Sequence, residues 1–372
     1  MSIRSLVILV VLSPTFAIAQ PKSSLGLRIL GIDATVRSVS PAVRQNLDKI
    51  VSKASESIKK LRPRKRGWDE EYALKVFGCI DDALVGSGVV YPDQGLVDQL
   101  VDGLTPFKMT SDRRQSFLDQ RHNARRVRTI ERLHNGPFYA ADCDIACFLY
   151  LSVADRLELP ISMVDLPGFD QHAGHNFVRW REGAHFVNWE TMGGVQMSEE
   201  HYLSGWDITP EMVAAHAAMT DMTSEQVIGY VHGLAGIQYE RKGLYQKALQ
   251  EQSLSLKLYP QNTVAANNYA WDTGVGKDVK ARDHESAILS ALHVLELVDD
   301  PNVRDTLAAV YASAGLFRLA VKEEETAVAS SSSSNFRTRL QMYKDRKVYR
   351  EDRAPSGADG QFKPPAEWGT IH

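Results

Sequence analysis

The chain has 372 residues, 44% of them apolar and 24% charged, and a formal net charge of −3. That length suits two folded units rather than one, and the composition is that of an ordinary globular protein. Near-neutral charge gives no electrostatic case for nucleic acid or for an acidic membrane as a partner.

Residues 1–19 carry the pattern of an export signal: Arg4, an unbroken apolar run from Leu6 to Leu12, and the small residues Ala17-Ile18-Ala19. The run is too short to span a bilayer. The expectation is an exported protein with no membrane insertion after cleavage; an uncleaved anchor is the alternative. Residues 20–66 read as a linker and an N-terminal helix. Positions 20–40 show no clear period and are expected to form a linker with a short strand. Ser40-Pro41 then opens a helix whose apolar stripe runs through Val43, Leu47, Ile50, Val51, Ala54, Ile58 and Leu61. The basic run Arg62–Arg66 reads as a solvated turn rather than an anion site. Residues 67–106 are expected to hold two or three short helices, and Gly86-Ser87-Gly88 lacks the lysine and spacing of a phosphate loop. Ser111–His134 reads as a long Arg-rich helix with a solvated face.

The most informative stretch is 142–190, within a unit expected over 67–225. Asp142 is a suitable N-cap for a helical run through Leu157, which puts Cys143 in the first helical turn. Backbone N–H groups and the helix dipole there favour a thiolate, whereas Asp142 and Asp144 oppose it. The run is apolar on nearly all sides, as buried helices are. Asn176–Arg181 and Ala184–Asn188 are β-prone segments split by Glu182-Gly183. A two-residue loop there pairs Arg181 with Ala184 and sets His175 opposite Glu190, close enough for a carboxylate to orient an imidazole. Asn188 lies two residues from Glu190 on the same face and is the reserve orienting residue. Cys143, His175 and Glu190 thus follow the order nucleophile, base, orienting group.

This stretch resembles the transglutaminase-like fold of the papain-like cysteine hydrolase superfamily. The resemblance rests on Cys143 opening its helix, Arg156-Leu157-Glu158-Leu159-Pro160 closing it, Ile161–Val164 as the next strand, His175 with Phe177, and Phe186-Val187-Asn188-Trp189-Glu190. It covers about 70 residues, and Glu190 stands where the family usually has Asp. The resemblance implies an α+β core, a Cys-bearing helix packed on an antiparallel sheet. It also implies acyl transfer from an amide through Cys143, with the Cys143 backbone N–H as one oxyanion donor.

His172, His175 and His185 raise a metal alternative, but His172-x-x-His175 lies in a loop and no acidic residue completes a known pattern. No metal or other cofactor is expected. Cys79 and Cys147 read as core residues, with a disulfide between them left open; three cysteines leave at least one thiol free or bonded to another molecule.

Beyond Trp206 the pattern is helical. Gly236, Tyr239, Gly243, Ala248 and Pro260 mark one unit and Asn267–Ala270 open a second. Leu307-Ala308, Tyr311, Gly315, Ala320 and Ala327 mark a third. Their spacing resembles tetratricopeptide repeats over 229–330, stacks that offer a face to a peptide or protein partner. Residues 331–372 read as a serine-run break, a last helix and a flexible tail. The two resemblances together are similar to a bacterial pairing and imply a periplasmic or secreted bacterial protein; the functional expectation is an exported cysteine protease or amidase acting on a peptide or protein substrate, with a protein partner on the repeat face. A catalytically inactive fold serving as a binding platform is the competing class.

Overall fold

The computed structural model describes residues 23–90, 99–112, 114–115, 136–168, 173–276 and 282–350. The expected export signal, His172, most of the Arg-rich stretch and the tail from Ala354 lie outside the described residues. The architecture is α+β: helices around a small antiparallel sheet, followed by a stack of paired helices.

The first element departs from expectation. Residues 25–36 form a helix, α1 (Leu25–Val36), not a linker with a strand. Leu25, Ile29, Leu30, Ile32 and Val36 are buried. With so few charged residues, the segment has no polar stripe to reveal a helical period: its exposed face carries Leu27, Gly31, Ala34 and Thr35, while the other face packs on the core. Next come α2 (Pro41–Lys59) and α3 (Glu70–Val85), and α3 is capped by Asp69, whose carboxylate accepts the Tyr72 N–H. The basic turn between them is held by ion pairs from Arg62 to Asp69 and Glu71 and from Arg64 to Glu182. A two-residue strand β1 (Val89–Val90) and a short helix α4 (Leu100–Gly103) lead to β2 (Tyr139–Ala140), which pairs with β1 in parallel.

The central helix is α5 (Cys143–Leu157), and ten of its residues, Ile145 through Ala154, are buried. It ends at Glu158 in a left-handed conformation, with the Leu159 N–H closing on the Ala154 carbonyl at 3.0 Å. The sheet has the order β3 (Ile161–Leu166), β4 (His175–Glu182), β5 (His185–Glu190), β6 (Val195–Met197), all antiparallel, and Asp221 bridges to Val164 at its edge. Strand alternation gives the sheet two faces. Val178, Trp180, Val187 and Trp189 join the core formed with α1, α2, α3 and α5. Val164, Leu166 and Phe177 join a second core under α6 (Glu199–Gly205) and α7 (Pro210–Ala214), where the Phe177 and Tyr202 rings stack at 3.8 Å.

The hairpin register also differs from expectation. Glu182 pairs with His185, so the loop is Gly183-Ala184 rather than Glu182-Gly183. Gly183 has φ +59°, and the observed loop gives it the first central position, where a type II′ turn needs positive φ; the expected loop would have put Glu182 there. The shift in pairing is two residues, so every side chain keeps its face.

The C-terminal half is a stack of paired helices: α8 (Ser224–Arg241) with α9 (Tyr245–Leu258), α10 (Thr263–Gly274) with α11 (His284–Leu297), and α12 (Pro301–Ser313) with α13 (Phe317–Ser330). It closes on α14 (Ser334–Lys344), capped by Ser333 within the serine run. Small residues, including Ala248, Ala287, Ala308, Ala320 and Ala327, are fully buried where paired helices cross. The first pair is built into the N-terminal core: Val227, Ile228, Val231, Ala235 and Tyr239 pack with α1 and α5, and the Tyr239 hydroxyl donates to the Thr35 carbonyl at 2.6 Å. Among the described residues, no helix is long and apolar enough to cross a membrane.

Candidate functional site

Asp142 caps α5, its carboxylate accepting the Ile145 N–H at 3.0 Å, and this makes Cys143 the first helical residue. Cys143 as a residue is half-buried. The backbone N–H of Asn176 lies near enough to the Cys143 sulfur to favour its thiolate. The thiol lies 3.6 Å from Asp144 Oδ1. Burial, then the Asp144 and Asp142 charges, push the Cys143 thiol well above the ordinary cysteine range, against the smaller opposing effect of the Asn176 N–H. The two carboxylates that the sequence sets against a thiolate are thus joined by burial in favouring the protonated thiol.

His175 is the first residue of β4 and Glu190 the last of β5. They are not directly paired, but the two-residue offset leaves them diagonal neighbours on one face, a separation long side chains can cross. Their side chains meet, His175 Nε2 to Glu190 Oε2 at 2.7 Å. Glu190 Oε1 accepts the Met192 N–H at 2.9 Å, and the Tyr202 hydroxyl approaches Oε2 at 3.4 Å. Burial raises the Glu190 carboxyl, but the His175 hydrogen bond and charge, followed by the Met192 N–H, more than offset it and hold the group below its ordinary value. The Trp206 ring stacks on the imidazole at 4.9 Å and 18°, and its indole N–H is tied to the Ala173 carbonyl at 3.0 Å. The imidazole is thus fixed at Nε2 and across its face, which leaves Nδ1 as its other basic nitrogen.

By alternation His175 belongs to the α6 side of the sheet and Asn176 to the α5 side. The two sides meet at the end of β4, where Cys143 sits. Asp144, the residue after the thiol, is close enough to His175 for the imidazole's charge to favour its carboxylate.

Asn188 is placed elsewhere. Its Oδ1 accepts from Arg179 Nε at 2.7 Å, within a buried cluster that also ties Arg179 to Asp221. His185 stacks on Trp68 at the hairpin end. Among the described residues, no group of three or more His, Cys, Asp or Glu is placed to hold a metal ion. Cys147 is fully buried beneath the site, with Thr191 Oγ1 at 3.8 Å, and Cys79, Cys143 and Cys147 are all free.

Sequence reasoning missed several neighbours of these groups. Trp206 and Tyr202 lie on or beside α6, beyond the stretch that carries the motif. Asn176 was visible only as the residue after His175. Tyr230 comes from α8 in the helical stack: its hydroxyl donates to both oxygens of Asp144 at 3.2 Å. No local pattern marks it. Comparison with protein-family models, with curated proteins and with solved structures returns no match for this chain.

Proposed function

We propose that the chain is an exported, cysteine-dependent amide hydrolase of transglutaminase-like type. The observation that carries this reading is the His175–Glu190 contact of 2.7 Å at the strand end that lies beside the Cys143 thiol. In the proposed reaction, Cys143 Sγ adds to the carbonyl carbon of an amide while His175 takes the thiol proton. The C–N bond then breaks, and His175 returns the proton to the departing amine, leaving a thioester on Cys143. Water, deprotonated by His175, releases the acid and restores the thiol; an amine in place of water would form a new amide. Glu190 and the Trp206 face both complement the positive charge that the ring carries between these steps. Because the resting thiol is held protonated, proton transfer accompanies attack rather than preceding it. The paired helices of the C-terminal half, read as tetratricopeptide repeats, would bind a peptide or protein partner.

The raised thiol also favours a second reading, an inactive hydrolase-like fold used as a binding platform. Alkylation of each cysteine by iodoacetamide, followed by mass spectrometry from pH 5 to 10, separates the two. For the hydrolase, Cys143 reacts faster than Cys79 and Cys147, and His175→Ala slows it by about a hundredfold or more, the lower edge of what a positioned base contributes. Equal, slow reaction of Cys143 in both proteins would leave the platform reading.

A further inference from the structure

The contacts around Asp144 bring two halves of the molecule to one carboxylate. Asn176 Nδ2, from β4, donates to Asp144 Oδ1 at 2.5 Å and lies 3.0 Å from the Tyr230 hydroxyl. Tyr230, from α8, donates to both carboxylate oxygens at 3.2 Å. The Cys143 thiol is the remaining neighbour, 3.6 Å from Oδ1. The Tyr230 ring is held edge-on against Phe148 of α5 at 6.5 Å, so its hydroxyl is aimed by packing rather than free to turn away. A carboxylate accepting two such bonds is favoured in its charged form, and a charged carboxylate beside a sulfur disfavours a thiolate.

We propose that Tyr230 is a positioning residue which, through Asp144, holds Cys143 in its protonated resting form, so that the first helix of the stack restrains the nucleophile. This rests on the reading of Cys143 as the nucleophile. Other charged or titratable groups face this cluster from each packed element: Asp142 and Cys147 on α5, His175 on β4, and Asp165 on β3, whose carboxyl takes a hydrogen bond from Tyr259 at 3.1 Å. None of them supplies a hydrogen bond to Asp144 that would replace Tyr230. Asn176 remains as a donor after the tyrosine hydroxyl is lost, so the restraint weakens without the cluster falling apart. Burial already raises the Asp144 carboxyl, and losing a donor raises it further, thinning the negative charge next to the sulfur.

The test is the rate of Cys143 alkylation by iodoacetamide in the full chain from pH 6 to 9, read by mass spectrometry. The variants are Tyr230→Phe, Asp144→Asn and the two combined, each near-isosteric and each checked by thermal unfolding. Tyr230→Phe is expected to raise the rate at pH 7 by up to about tenfold, the equivalent of one pKa unit from one charge-assisted hydrogen bond. Asp144→Asn is expected to raise it at least as much. In the Asp144→Asn background, Tyr230→Phe should add less than about twofold, because it acts through the charge already removed. An unchanged or slower rate in Tyr230→Phe, or the same gain in both backgrounds, would overturn the proposal. His175→Ala bears on the hydrolase reading instead: if it leaves the wild-type rate unchanged while Tyr230→Phe still raises it, the nucleophile–base reading fails and the Tyr230–Asp144 coupling stands.

Discussion

Two buried clusters of acidic residues, one at the junction of the two halves and one in the last helices of the stack, are stabilised differently. In the last helical pair, Asp305 and the fully buried Glu324 face each other with Arg339 of α14 between them and solvent, its Nε 2.5 Å from Asp305 Oδ1. The guanidinium is enclosed by the rings of Trp271, Phe336 and Tyr349 at 5.1–5.8 Å. At the junction of the two halves, Asp144 has no such cation bonded to it among the described residues; a tyrosine hydroxyl, an amide and a thiol lie against it. The first arrangement ties three helices together with charge. The second leaves a carboxylate whose ionisation depends on neutral donors, next to a group with chemistry. A buried acid met by arginine locks a structure; one met only by neutral donors can respond.

Removing the cation is the severest way to break this contrast. Arg339→Met is expected to destabilise the protein by about 3–5 kcal/mol, because it leaves the buried Asp305 carboxylate without its counter-charge. Thermal and urea unfolding would measure the loss. The rate of Cys143 alkylation, measured well below the unfolding midpoint, should not change; a change would mean that the two clusters are coupled along the stack.

A smaller effect sharpens the same point through pH. Burial, reinforced by the charge of Asp305, pushes the Glu324 carboxyl up to about 10. A folded-state value above the unfolded one means the native protein binds the extra proton. The stability this confers is complete below the unfolded value near 4.5 and is lost as pH rises toward 10. Glu324→Gln keeps the shape and removes the titration. Between pH 5 and 9, wild-type stability should fall with a slope of up to about 1.4 kcal/mol per pH unit from this group, and the variant should be flatter. Identical pH profiles for both proteins would show that Glu324 does not hold the proton.

These contrasts bear on what could be read in the chain beforehand. The capped start of α5 was legible because a capping residue and a helical run are adjacent in sequence. The shared face of His175 and Glu190 was legible because alternation survives a two-residue error in register, although the turn itself was misplaced by not giving Gly183 the position that needs its positive φ. Helix α1 was hidden because its exposed face, Leu27, Gly31, Ala34 and Thr35, carries no charge to form a polar stripe. Tyr230, Trp206 and Arg339 were hidden for a different reason. Each meets its partner across tens of residues of chain, and no local spacing encodes such a contact. The raised state of the Cys143 thiol was likewise a matter of magnitude, since burial and two carboxylates had to be weighed against a helix terminus.

The mildest test concerns how tightly the first helical pair is fitted to the core that carries the site. A Cβ built on Gly229 of α8 would come within 2.9 Å of the Cβ atoms of Leu258 and Tyr259 and 3.0 Å of the Tyr259 nitrogen, so backbone would have to move. Gly78, in the middle of α3, has open space around it. Both are helical glycines, and alanine at either should gain about 0.5–1 kcal/mol of helix preference. At Gly78 that gain should appear as a small rise in unfolding midpoint. At Gly229 overpacking of about 1–3 kcal/mol should exceed it and destabilise the protein. Tyr259 is also the residue whose hydroxyl holds Asp165 at the junction. A Gly229→Ala protein as stable as wild type would therefore show that α8 and α9 can separate slightly without cost, and that the fit presenting Tyr230 to Asp144 is looser than the close crossing of these two helices requires.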